Sequence, residues 1–105
     1  MRKALIKIHN AQAGILEESQ THYVFQYDLD YKGPPISLTM PVRADAYEFE
    51  SCPPFFDGLL PEGIQLEGLL KKYKIDKKDY FSQLIVTGQN LVGAVTIETI
   101  NSIDE

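Results

Sequence analysis

From Tyr23 to Tyr31 every second residue is large and apolar: Tyr23, Phe25, Tyr27, Leu29 and Tyr31 alternate with Gln26, Asp28 and Asp30, and Val24 alone breaks the pattern. A period of two puts those five side chains on one face of an extended strand. Such an aromatic face has to be packed against something else in the chain. Gly33-Pro34-Pro35 ends the run, because proline removes a backbone donor and fixes its own φ.

The flanking segments supply partners for that strand. Ala4, Ile6 and Ile8 alternate with Leu5, Lys7 and His9, a second half-buried strand. Asn10 to Gly14 reads as a turn, Ile15-Leu16 as the start of a short return strand, and Glu17 to Thr21 as a polar turn. Ile36 to Met40 reads as another short extended piece, stopped by Pro41.

At Pro53 the period changes from two to about 3.6. Phe55, Phe56, Leu59 and Leu60 can share one side of a short helix, and Pro61 then opens a second helix with the apolar stripe Ile64, Leu66, Leu69, Leu70 and Tyr73. Gly68 weakens that helix by about 1 kcal/mol relative to alanine, which suggests close packing or adaptability there. Asp76 is the expected N-cap of a third helix, with Asp79 in a box-like position, Tyr80, Phe81, Leu84 and Ile85 as the buried stripe, and Gly88 as the stop. Ala94 to Ile100 returns to strand character, with Val95, Ile97 and Thr99 on one face, before the polar stretch Asn101 to Glu105. Strands, then helices, then a last strand predict an α+β fold: a small antiparallel sheet with about three helices packed on one side. The 105 residues fit a single domain spanning 1–105, with one core.

Charge and cysteine usage narrow the function classes. Fifteen acidic against ten basic residues leave a net charge of -5, which opposes phosphate backbones and anionic membranes unless the cations cluster. The densest group, Lys71, Lys72, Lys74, Lys77 and Lys78, is interleaved with Asp76 and Asp79, so it reads as a solvated helix surface and DNA binding by this chain alone is not expected. The single cysteine, Cys52, fits a reducing compartment, and no signal-peptide run or membrane span is legible, so the expected location is the cytoplasm.

Catalytic chemistry is hard to assemble from these residues. Gly88-Gln89-Asn90-Leu91-Val92-Gly93 has the glycine spacing of a phosphate-binding loop, yet Ala94-Val95 stands where a lysine and a hydroxyl are needed, so a helix-to-strand turn is the better reading. Phe56-Asp57-Gly58 has a kinase metal motif's letters in the wrong order and none of its companions, which leaves Asp57 a structural role in satisfying backbone donors around the Pro53–Gly63 turns. His9, His22 and Cys52 are not at metal-ligand spacing, and no metal or other cofactor is expected. A hydrolase using Cys52 with His9 or His22 is the enzymatic alternative, and alkylation of Cys52 would test it. What stands out is Pro53-Pro54-Phe55-Phe56-Asp57-Gly58-Leu59-Leu60-Pro61-Glu62-Gly63, a stiff aromatic segment between sheet and helices. Beyond Phe55, Phe56, Leu59 and Leu60, the residues Glu62, Gln65 and Glu67 project away from the apolar stripe and can form either a contact surface or a solvated face.

Phe55-Phe56-Asp57-Gly58-Leu59-Leu60-Pro61 resembles the Phe-Phe-Asp-Asn-Leu-Leu-Pro signature near the N-terminus of HipA-type serine/threonine kinase toxins, with Gly58 in place of the usual asparagine. Ile36-Ser37-Leu38-Thr39-Met40-Pro41, Phe25-Gln26-Tyr27 and Gly88-Gln89-Asn90-Leu91-Val92-Gly93-Ala94-Val95 match further family motifs in the family's order. The resemblance covers nearly the whole chain but stops before the kinase half, and in that respect it looks like the HipS family of short antitoxins. There the kinase HipT and the DNA-binding protein HipB are separate chains. The resemblance implies a non-enzymatic antitoxin that binds a HipT-like serine/threonine kinase toxin, with HipB as a further possible component of the complex. It would obstruct the active site or lobe closure by steric means, through Asp57, Gly58, Pro61, Glu62, Gly63, Ile64, Gln65, Glu67 and Gly68. The alternative it leaves is a non-inhibitory structural subunit that scaffolds the kinase or HipB.

Overall fold

A computed structural model of the chain describes residues 2–88 and 95–100. Its sheet is built from β1 (Arg2–Ile8), β2 (Ala11–Glu18), β3 (Tyr23–Tyr27), β4 (Tyr47–Phe49) and β5 (Val95–Thr99), in the order β4-β3-β2-β1-β5 with every pairing antiparallel. Between β4 and β5 come α1 (Pro54–Asp57), α2 (Gly63–Tyr73) and α3 (Tyr80–Gly88). The α+β architecture is the expected one. The start of the last strand at Ala94, the loop Gln89–Ala94 with its glycine motif, and the stretch 101–105 lie outside the described residues.

The alternation is realised in β1 and in β3 as far as Tyr27, whereas in β5 only Ile97 of the expected face is buried and Thr99 is exposed. Ala4, Ile6 and Ile8 of β1, Leu16 of β2, Tyr23, Phe25 and Tyr27 of β3 and Ile97 of β5 are buried in one cluster, joined by Phe56, Phe81 and Leu84 from the helices. Phe25 meets Tyr27 edge-on at 4.9 Å and Phe56 at 6.0 Å, so the aromatic face of β3 seats α1.

Four local readings change. The turn expected over Asn10 to Gly14 shrinks to His9-Asn10, both left-handed (φ 51° and 68°), the two-residue geometry that matches strand twist, so β2 begins at Ala11. Gly14 is needed for a different reason. A Cβ there would sit 2.3 Å from the Gln26 carbonyl oxygen, because β3 crosses directly against it. β3 stops at Tyr27 rather than Tyr31: the Tyr31 N–H donates to the Asp28 carbonyl at 3.0 Å, Leu29 points into solvent, and Tyr31 folds back to stack on Tyr27 at 5.9 Å. Two aspartates in four residues favour that turn over continued pairing. Ile36 to Met40 is also a turn and not an extended piece, closed by the Met40 N–H on the Ser37 carbonyl at 3.0 Å. Its feet are held by the buried Tyr27 hydroxyl, which accepts the Ile36 N–H at 2.9 Å and donates to the Met40 carbonyl.

α3 is anchored by Asp79, not by Asp76. The Asp79 carboxylate accepts the Ser82 N–H at 3.1 Å and the Ser82 hydroxyl at 2.7 Å, as a residue just before a helix does, while Asp76 accepts the Lys78 N–H in the preceding turn. Arg2 ties this cap to the sheet, donating to Asp79 at 2.8 Å and to Glu18 at 2.7 Å. Burial alone would raise the Asp79 carboxyl, but the hydrogen bonds from Arg2 and Ser82 outweigh it and hold the group below the ordinary carboxylate value. At the other end of α3, a Cβ on Gly88 would lie 2.5 Å from the Ile97 Cβ, so glycine there permits the helix to close against β5.

Candidate partner-binding surface

The segment following the sheet divides at Leu60. α1 is a single turn whose Phe56 is fully buried, with Phe55, Leu59 and Leu60 packed partly against the core. Its turns are closed by backbone groups: the Asp57 N–H donates to the Pro53 carbonyl at 2.9 Å and the Leu60 N–H to the Asp57 carbonyl at 3.1 Å. The Asp57 carboxylate accepts no hydrogen bond among the described residues, which corrects the structural role expected of it. Gly58 sits at φ -67°, ψ -13°, a conformation open to any residue, so glycine in place of asparagine leaves this turn unchanged.

Past Leu60 the chain turns outward. Pro61 is half-buried and lies before α2 instead of opening it; the residue flanking the helix is Glu62, extended at φ -129°, with no side-chain cap. Gly63 then takes φ +60°, a left-handed conformation that a residue with a Cβ adopts at a cost. α2 follows with no buried residue. Leu66, Leu69 and Leu70 are half-buried, but Ile64 is 86% exposed and Tyr73 42%, so the stripe expected from Ile64 to Tyr73 reaches the protein at its middle only. Close packing at Gly68 is likewise overturned, since a Cβ there would meet nothing within 4 Å.

Of the nine residues expected to contact a partner, Asp57, Gly58, Glu62, Gly63, Ile64, Gln65, Glu67 and Gly68 are exposed and Pro61 is half-buried. They fall in two exposed stretches, Asp57-Gly58 at the end of α1 and Glu62 to Gly68 at the start of α2, separated by Leu59 and Leu60, which pack against the core, and by the half-buried Pro61, with Leu66 half-buried inside the second. Tyr73, which the periodicity assigned to the buried stripe, borders an open hollow with Ile75, Phe81 and Ile85 where the end of α2 approaches α3. An amphipathic pattern carries no mark that tells a helix seated on its own core from one left for another molecule.

Catalytic chemistry finds little support at Cys52. The thiol is half-buried, and burial together with the nearby Asp57 and Glu18 pushes it up to about 12, away from the thiolate a nucleophile requires. His22 is occupied with Ser19 and Thr21, and His9 lies in the β1–β2 turn, at the opposite end of that hairpin from Glu18. Among the described residues no group of His, Cys, Asp and Glu could hold a metal ion, and no helix is long and apolar enough to cross a membrane.

Comparison with known proteins agrees with this geometry. An uncharacterized protein of Haemophilus influenzae is 31% identical over 98 residues, which are 93% of this chain and 92% of that protein. A solved structure described as the N-terminal domain of HipA toxin superposes with a TM-score of 0.77 at 29% identity, covering 96% of this chain and 94% of that one. The family model for the HipA N-terminal domain matches residues 4–98, and the chain belongs to that family.

Proposed function

We propose that this chain is a non-enzymatic, cytoplasmic antitoxin that docks on a separate HipA-type serine/threonine kinase, of the HipT kind, and holds it inactive, with a DNA-binding HipB-like protein as a further component. The observation that carries this reading is α2: an amphipathic helix in a chain of this size that buries none of its residues and begins with a left-handed glycine and an isoleucine 86% exposed. Exposing a side chain of that kind forgoes about 1.5–3 kcal/mol of burial, which a complex would recover. Membership of a family found at the N-terminus of HipA toxins supports the choice of partner. The Haemophilus relative is of similar length, since the 98 aligned residues are 92% of it, which is compatible with a partner supplied as another chain.

In this account inhibition is steric. Glu62 to Gly68 would enter the kinase cleft with Ile64 as the apolar anchor, and a body wedged there blocks lobe closure without chemistry of its own. Phosphotransfer by the HipA-type kinase of the same organism, measured with and without equimolar chain, tests the proposal. The expected result is loss of phosphorylation with the native chain and at least about tenfold weaker inhibition by Ile64→Ser, given that a central apolar anchor is worth about 2 kcal/mol. Binding that leaves phosphorylation unchanged or raised would make the chain a scaffold.

A further inference from the structure

Charge is distributed very unevenly along this chain. Residues 71–78 hold five of its ten cations and one of its fifteen acids, a local charge of +4, while the remaining residues carry -9. All five lysines are exposed. The ion pairs among the described residues use Arg2 and Lys7, and none uses Lys71, Lys72, Lys74, Lys77 or Lys78. Asp76 accepts the backbone N–H of Lys78 within the patch and is already counted in its charge, while the adjoining Asp79 is engaged elsewhere, with Arg2 and Ser82. Lys71 and Lys72, in the last turn of α2, complement the helix dipole, but Lys77 and Lys78 lie beyond the helix and gain nothing from it.

These lysines continue the surface assigned above. α2 is 11 residues long, about 16 Å, with Ile64 in its first turn and the lysines at and past its last. We infer, resting on the proposed kinase docking, that the lysine end of α2 is the electrostatic half of the same interface and meets an Asp/Glu-rich patch on the kinase about one helix length from the pocket that takes Ile64. An acidic protein patch fits better than nucleic acid. A duplex presents one charge about every 1.7 Å well beyond an eight-residue patch and would be repelled by the acidic remainder of this chain, whereas a compact carboxylate cluster would not. The effect expected of such a pair is chiefly on association rate.

Stopped-flow association of the full chain with the same kinase at about 50 and about 500 mM salt tests this. The native chain should associate at least about tenfold more slowly at high salt. Reversal of two charges outside α2, Lys77→Glu with Lys78→Glu, should slow low-salt association at least several-fold while dissociation and thermal midpoint stay unchanged; Lys71→Gln with Lys72→Gln should act in the same direction. Rapid binding that ignores both salt and reversal overturns the inference and leaves the kinase proposal standing. Absence of any binding removes both. Reversal that spares kinase association but abolishes binding to a random-sequence duplex assigns the patch to nucleic acid and also overturns it.

Discussion

α2 and α3 are neighbours in sequence, of similar length and both amphipathic, yet they are used in opposite ways. α3 buries Phe81, Gln83, Leu84 and Gly88 and is fixed at its start by a cap that is itself tied to β1 and β2 through Arg2. The Gln83 amide is spent inward, donating to the Lys77 carbonyl at 2.9 Å. α2 has no fully buried residue and no side-chain cap, and carries a glycine, Gly68, whose Cβ position is empty space. The difference teaches that in this fold the sheet draws on α1 and α3 for its core, while α2 has three half-buried leucines and leaves the rest of its surface exposed.

The largest effect should separate the two helices outright. Leu84→Ala in α3 removes a side chain that is 1% exposed and is expected to cost about 2–5 kcal/mol, read from the urea midpoint. Ile64→Ser in α2 should move the same midpoint by about 0.5 kcal/mol or less. Comparable losses at the two positions would break the distinction.

Next comes the anchor of α3. Asp79→Ala removes a cap and the partner of Arg2 and should cost about 1–2 kcal/mol in thermal unfolding. Because the folded-state carboxyl is held below its ordinary value, its stabilising contribution is complete above the unfolded value of about 4 and is lost as pH falls through the lower folded value. Asp79→Asn should therefore flatten the acid limb of a stability-pH profile below about pH 4, with the neutral region offset but parallel.

The smallest effect has the opposite sign. Gly68→Ala should stabilise the chain by about 1 kcal/mol, since the added methyl meets no atom and glycine is a poor helix former. If the same substitution weakens the kinase complex, a partner's backbone approaches α2 at Gly68.

What could be read in advance follows the physics of each element. The β1 and β3 faces were legible because period-two alternation is a direct image of a half-buried strand, and Phe55-Phe56 because two adjacent aromatics rarely both stay in solvent. β4 was missed because Tyr47–Phe49 is three residues long, too short for any period to show. Asp76 was preferred over Asp79 as cap because both are good formers in sequence; what decides is that Arg2, 77 residues away, lies against the second. The candidate surface was legible as a run of residues, Asp57 to Gly68, but not as a surface. Ile64 belongs to the same stripe as Leu66, Leu69 and Leu70, and only tertiary placement leaves it in solvent.

Hydrogen exchange of the chain alone and bound to the HipA-type kinase tests the central claim most directly, because it reports each helix separately. The account predicts that α2 amides exchange far faster than those of α3 in the free chain and gain protection from Ile64 through Tyr73 in the complex, while α3 changes little. α2 already protected like α3 when free, or unchanged by the kinase while another face becomes protected, would contradict it.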